Sequence, residues 1–360
     1  MRRATALAAA LIFVITGCGT QVVKATSPTV AAVPAPLGTS LVTAQGTWAI
    51  AAMGGSAADD DNFWELFVRP AAGGDWKLAT PPAVADNGGL VAAGGPASVL
   101  IGFRPSQDLV FSPLAASTDT GKNWTAGLLN ASLANSPDAL AESGGQELAL
   151  LHNGTIDTST TSGATWSSLP ALATSAAGRN CGVAGVNAVA FWTNGTPVAA
   201  GACTRPGVAG VFRDTAGTWE QDGPLLPAAY ARDRVRVLRL SGSAALLQAG
   251  SDLLAYWQTG TGWTGPAVLA DGAGVRTSGF GANGAAWVLL GDGSAATIAG
   301  PDGTWGALPP VPAGTVVLAP GPAYEALAPK GSKLAVWQLT GGAWTKVQSV
   351  NVPIVYGSSS

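Results

Sequence analysis

A tryptophan placed just after a glycine-containing turn recurs seven times, at Trp76, Trp124, Trp166, Trp219, Trp263, Trp305 and Trp344. The intervals are 48, 42, 53, 44, 42 and 39 residues, and the segments read GGDW, STDTGKNW, STTSGATW, DTAGTW, TGTGW, PDGTW and LTGGAW. Runs of strand composition, such as DLVFSPLAA, GVAGVFRD, LLAYWQ and KLAVWQ, precede most of them. A repeat of this length has room for four short strands joined by tight turns. Unit five divides into Arg234–Leu240, Ala244–Ala249, Leu253–Gln258 and a last strand starting at Trp263. Unit six divides into Val275–Gly279, Ala285–Leu290, Ala295–Ala299 and a strand at Trp305, and unit one starts with Ser40–Ala44, Thr47–Met53 and Phe63–Arg69. Asn194-Gly195, Asn283-Gly284 and Asp292-Gly293 supply turn signals between such runs. Glycine and β-branched residues recur too often for helices of ten residues.

A four-stranded sheet cannot cover both of its own faces, so units of this period stack radially and close into a ring. The expected fold is therefore all-β: a seven-bladed β-propeller with four antiparallel strands per blade over residues 39–350, followed by an extension at 351–360. The repeated indole is expected to fill the wedge that widens between blades toward the rim. The stretch 352–356, Val-Pro-Ile-Val-Tyr, is expected to cover an edge where the ring closes. Two β-sandwiches, the rival architecture, predict no constant tryptophan phase.

The second turn, with Ser117, Asp119, Gly121 and Trp124, resembles the Asp-box of sialidase-like β-propellers, Ser/Thr-x-Asp-x-Gly-x-x-Trp. The third keeps Ser159, Gly163 and Trp166 but has Thr161 at the Asp position. Side-chain oxygens in such a turn take backbone N–H groups while glycine adopts positive φ. The resemblance implies that the box joins the third and fourth strands on the face opposite the usual binding site, so Asp119 is read as structural.

At the start of the chain, Met1-Arg2-Arg3 leads into the apolar run Ala4–Val14 and then Ile15-Thr16-Gly17-Cys18. This order resembles a bacterial lipoprotein signal ending in a lipobox. The resemblance implies removal of residues 1–17, lipid on Cys18, and anchoring outside the cytoplasmic membrane. Residues 18–38, with Pro28, Pro34 and Pro36, read as a flexible tether. Without Arg2 and Arg3 the balance is 16 basic to 21 acidic side chains, and no basic cluster matches a row of phosphates, which excludes nucleic acid as the expected partner. With Cys18 lipidated, Cys181 and Cys203 remain as a disulfide pair on strands of unit four. A monomer is expected.

Loops joining strands two and three, or one unit to the next, share the usual ligand face of this topology. They carry Asp59, Asp60, Asp61, Arg104, Arg205, Tyr230, Arg232 and Asp233, and Arg234 and Arg236 continue along the inner strand of unit five. The expected ligand-binding set is Arg104, Arg205, Tyr230, Arg232, Arg234 and Arg236. The run Arg232, Arg234 and Arg236 either lines the mouth of the central channel and presents donor forks to a carboxylate or other anion, or pairs internally with carboxylates or lies in a less regular register. Asp59 and Asp61 are the only metal candidates, without the spacing of a calcium loop; no metal and no cofactor are expected.

Sialidases are similar to one another in an arginine triad, a Tyr–Glu pair and a further acid. Here Phe67-Val68-Arg69-Pro70 has its arginine one position late, and Tyr324-Glu325 falls near a turn on the other face. His152 is the only histidine, which leaves no triad or His-rich zinc site. No catalytic residues are nominated. The expected function is non-enzymatic binding or scaffolding toward a protein or glycan through the loop face; the alternative is a carbohydrate-active hydrolase or lyase.

Overall fold

The computed structural model describes residues 38–54, 63–81, 90–94, 99–103, 114–124 and 137–353, apart from positions 164, 261, 273, 282 and 283. Unit one folds as β1 (Gly38–Thr43), β2 (Gly46–Met53), β3 (Phe63–Pro70) and β4 (Lys77–Leu78). Unit two supplies β5 (Leu90–Gly94), β6 (Val99–Phe103) and β7 (Leu114–Ser117), and unit three β8 (Pro137–Ser143), β9 (Gln146–Leu151), β10 (Ile156–Ser159) and β11 (Ser167–Ser168). Unit four holds β12 (Val183–Phe191), β13 (Pro197–Cys203), β14 (Gly210–Thr215) and β15 (Thr218–Gln221). Unit five holds β16 (Val235–Leu240), β17 (Ala244–Ala249), β18 (Asp252–Thr259) and β19 (Gly262–Leu269). Unit six holds β20 (Val275–Phe280), β21 (Ala286–Leu290), β22 (Ala295–Ile298) and β23 (Gly306–Ala307), and unit seven β24 (Val317–Ala319), β25 (Glu325–Lys330), β26 (Lys333–Thr340) and β27 (Ala343–Asn351).

The fold is an all-β propeller whose blades are antiparallel four-stranded meanders. Six such blades are present where the repeat predicts seven: unit two gives a sheet of three strands among the described residues. Its expected fourth strand would follow Trp124, and residues 125–136 lie outside the described residues. Each first strand meets the first strand of the next unit, β5 meets both β1 and β8, and β1 meets β24. Side chains of inner strands tie neighbours together: Ser40 Oγ donates to Leu318 O (2.8 Å), Asn187 Nδ2 to Val237 O (2.7 Å) and Arg239 Nε to Ser278 O (3.0 Å).

Second strands, enclosed on both faces, are buried almost throughout, and Gly46–Met53 is buried at every position rather than alternately. The recurring indole fills the wedge between blades, and in four units its N–H also finds the same kind of partner. Trp219, Trp263, Trp305 and Trp344 donate to Pro170 O, Asp222 O, Ala267 O and Pro309 O, at 2.6, 2.7, 3.2 and 3.2 Å. Each acceptor lies in or just beyond the outermost strand of the preceding unit. Trp166 instead bonds Gly163 O of its own turn, and Trp124 meets Trp48 of unit one edge to face at 6.5 Å.

Among the described residues every sheet is built from consecutive strands, with none exchanged between the first and last units. One isolated backbone bridge, Gly54 N to Gly331 O (3.2 Å), and side chains join these two units. Arg69 Nη1 lies 2.7 Å from Glu325 Oε1 with both side chains largely buried, and Trp76 Nε1 donates to Glu325 Oε2 at 2.8 Å. Gln348 accepts from Trp76 N and donates to Trp76 O, both at 2.8 Å. Arg69 also stacks over the Trp76 ring, 5.8 Å from its centroid. Trp76, whose turn looks poor in sequence, is 2 % exposed. Val352 bonds Ser332 O and is buried at this joint, while residues 354–360, with most of the stretch expected to cover an edge, lie outside the described residues.

One expectation needs correction. Cys181 ends a short helix, α1 (Ala176–Cys181), in the connection from unit three to unit four, rather than lying on a strand. Ser175 Oγ caps the helix by accepting from Gly178 N, and Gly182 ends it in the left-handed conformation at φ 65°. The disulfide Cys181–Cys203 therefore ties this insertion, in the longest interval of the repeat, to the end of β13.

Candidate functional site

Connections on the predicted ligand face form an arc held by hydrogen bonds. Arg205 N donates to Cys181 O (3.2 Å) and Gly207 N to Asp233 O (2.9 Å), which joins the β13–β14 loop to the connections on both sides. Tyr230 OH donates to Asp252 Oδ2 (2.9 Å), and Asp271 N donates to Asp252 Oδ1 (3.3 Å). The Tyr230 hydroxyl and its neighbours hold the Asp252 carboxyl below its ordinary range; burial, followed by Asp252, raises the Tyr230 phenol. Units four to six thus present a preorganised surface.

Arg205, Arg232, Arg234 and Arg236 are all exposed on or beside this arc. Among the described residues none of the four makes an ion pair, whereas Arg69 and Arg213 do. Of the second expected reading for Arg232, Arg234 and Arg236, the described residues show the irregular register, a shift between Val237 and Arg239, and no pairing with carboxylates. Arg179 belongs to the same sector through α1 and donates to Thr174 O. Leu225, on the β15–β16 connection that also carries Tyr230 and Arg232, is 95 % exposed. Arg104, Asp59, Asp60, Asp61 and Cys18 lie outside the described residues.

Sequence reasoning missed Arg239. The β16–β17 register shifts between Val237 and Arg239, so strict alternation fails at Leu238 and Arg239 turns toward unit six. Burial lowers its guanidinium from the ordinary value. The double arginine in Val-Arg-Val-Leu-Arg-Leu was the available signal, but a bulge cannot be placed from one strand.

On the opposite end, Ser117 Oγ accepts from Gly121 N (2.9 Å) and Asp119 Oδ1 from Asn123 N (2.9 Å), with Gly121 at φ 74°. In the third turn Ser159 Oγ accepts from Gly163 N (2.9 Å) and Thr161 Oγ1 from Thr165 N (2.8 Å). Thr161 thus performs the bond that Asp119 performs. The bonds from Asn123 hold the Asp119 carboxyl low, as a structural acceptor. We expect Asp119→Thr to keep the melting temperature measured by calorimetry, and Asp119→Ala to lower it; equal losses in both variants would refute the equivalence.

The sialidase-like fragments have structural employment: Arg69 and Glu325 face each other across the ring closure. Among the described residues no three His, Cys, Asp or Glu side chains gather as a metal site. His152 Nδ1 lies 3.3 Å from Asp138 Oδ2 in an exposed pair.

No family model matches the chain, and no curated protein matches it in sequence. In structure it is similar to a 6-phosphogluconolactonase-like protein of Bacteroides uniformis, with 14 % identity, 86 % of this chain and 97 % of that chain covered, and a TM-score of 0.54. YCF48 from Cyanidioschyzon merolae is also similar, with 15 % identity, 85 % and 94 % coverage and a TM-score of 0.46. At such identities the likeness concerns the fold alone: the chain is a β-propeller.

Proposed function

We propose that the chain is a non-enzymatic binding or scaffolding protein that receives an acidic segment of a protein partner on the arginine-bearing arc. The observation that carries this reading is the set Arg205, Arg232, Arg234 and Arg236, exposed and without ion pairs among the described residues, on loops already fixed to one another. A guanidinium fork matches a carboxylate in two parallel hydrogen bonds. Loops held in place before binding lose little conformational freedom when a partner docks. Leu225 on the same connection supplies apolar area. Tyr230 orders the arc through Asp252. A neutral glycan would leave four guanidinium groups without use. Hydrolysis would need two carboxyl groups facing one cleft, and on this arc Asp252 already accepts from Tyr230 and Asp271.

Three further readings accompany it. The three-stranded sheet of unit two, between β1 and β8, is the inner part of a seventh blade. The Ser117–Trp124 turn is an Asp-box. The domain is exported and held at the membrane surface by lipid on Cys18, which Cys18→Ser should release into the soluble fraction.

The test is co-purification of the lipidated protein with partners from its own membranes. The variant Arg205→Gln/Arg232→Gln/Arg234→Gln should fold normally. It should bind the partner at least about tenfold more weakly, with most of the salt dependence gone. Unchanged affinity and salt dependence would remove the arc from the binding site, and saccharide turnover without a protein partner would favour the enzyme.

A further inference from the structure

The hairpin β8–β9 turns through Gly144 and Gly145, at φ 61° and 85°, which sets Glu142 directly opposite Glu147. The residue pair next to the closing pair of such a hairpin lacks mutual backbone bonds, so its side chains stand close, with Cβ atoms about 4.5–5.5 Å apart. Leu140, Ala149 and Leu151 pack against Leu100 of the three-stranded sheet. Alternation puts Glu142 and Glu147 on that same face, inside the seam between units two and three. Glu147 is 3 % exposed. Glu142 Oε1 accepts from Gly145 N (3.1 Å), but Glu142 Oε2 and Glu147 Oε2 are buried without a hydrogen-bond partner among the described residues.

Among the described residues no cation pairs with them. The described strands of unit two, Leu90–Gly94, Val99–Phe103 and Leu114–Ser117, contain no titratable side chain, and neither does Val183–Phe191 on the other side of the hairpin. The turn after β7 carries Asp119, engaged by Asn123, and Lys122, which is exposed. On β10 the same face holds Ser159, which accepts from Gly163 N, and Asp157, bonded by Ser168 Oγ. Asp138 and His152 pair at the far end of the hairpin. Burial and a second carboxyl group directly opposite both disfavour the charged form of Glu147.

We propose that Glu147, set opposite Glu142 and buried, holds a proton while the seam between units two and three is closed, and that loss of this proton loosens the seam. Burial, followed by the Glu142 charge, pushes the Glu147 carboxyl up to about 7. Between the ordinary glutamate range and that value the folded chain holds a proton that the unfolded chain has released. Stability therefore falls as pH rises through this window, by up to about tenfold in the unfolding constant per pH unit, and levels off above it. Asp119, Asp252 and Asp292, whose carboxyls are held low, act with the opposite sign only at more acidic pH. Glu65, raised by burial, adds a slope of the same sign that remains in Glu147 variants.

The experiment compares urea unfolding and hydrogen exchange of Leu100 and Ala149–Leu151 from pH 5 to pH 8.5 for the native chain, Glu147→Gln and Glu142→Gln. We expect the native chain to lose stability and seam protection toward alkaline pH, and both variants to have a flatter profile and to overtake it at pH 8. Parallel profiles in all three proteins would overturn the proposal. So would stabilisation of the native chain, but not of Glu147→Gln, by millimolar calcium at pH 8, since the pair would then be a cation site.

Discussion

Replacing Glu325 with Ala should destabilise the propeller by about 3–5 kcal/mol, measured from the urea midpoint at neutral pH, the range found when one partner of a buried ion pair is removed. Two groups lose their acceptor together: the Arg69 guanidinium, whose side chain is 13 % exposed, and the Trp76 indole N–H. Both lie on the joint between the last blade and the first, where no strand among the described residues is exchanged to share the load. Water cannot readily replace the carboxylate, because Trp76 covers it from one side and Ala49, Phe67, Leu327 and Val336 belong to the same buried cluster. Glu325→Gln keeps an acceptor for Trp76 but leaves the Arg69 charge without its counter-charge, so its loss should be smaller yet still large. The double change Arg69→Met/Glu325→Leu should recover much of the difference, since a buried pair can be exchanged for apolar packing more cheaply than it can be broken. A loss under about 1 kcal/mol for Glu325→Ala would mean that the ring is held shut elsewhere, by bonds such as Ser40–Leu318, Gln348–Trp76 and the Gly54–Gly331 bridge.

The strand pattern was legible where turns are tight and blades repeat closely. Unit five reads as Arg234–Leu240, Ala244–Ala249 and Leu253–Gln258 in sequence and folds as Val235–Leu240, Ala244–Ala249 and Asp252–Thr259. The tryptophan phase conveyed radial stacking because the indole serves the joint between successive units, a task that recurs only in such stacking. What the sequence concealed are pairings between distant positions. Arg69 and Glu325 are far apart in the chain, and each looked like a fragment of a catalytic motif out of phase. Nothing in the sequence singled out Glu142 and Glu147 either. In a blade that buries both faces, alternation does not tell an inward glutamate from an outward one. The helix Ala176–Cys181 was missed for a local reason: a six-residue helix depends on its Ser175 cap and Gly182 stop more than on any apolar period. The exposed arginine arc was legible by position, since Arg205 and Arg232 fall in connections that the topology gathers on one face. Arg239 was not, because the bulge at Leu238 reverses the side it faces.

Trp219→Ala should cost about 3–5 kcal/mol, as expected for truncating a fully enclosed large aromatic, and more than the same change at any of the half-buried tryptophans of the repeat. Trp219 is 3 % exposed and belongs to a cluster with Ile156, Leu172, Cys181 and Phe212, so its ring closes the joint between units three and four beneath the disulfide-tied insertion. Its N–H also reaches Pro170 O at 2.6 Å. Trp219→Phe would retain part of the packing and lose the hydrogen bond, for which about 1 kcal/mol is expected beyond the lost ring volume. Trp344 makes the corresponding bond to Pro309 O but remains half-exposed among Lys346 and Thr345 on the outer strand. Its truncation to Ala should therefore cost clearly less, measured by the same urea titration. If Trp219→Ala and Trp344→Ala gave equal losses, the shared hydrogen bond rather than ring burial would set the strength of each joint. A loss near zero at Trp219 would deny the indole its part in holding adjacent blades together.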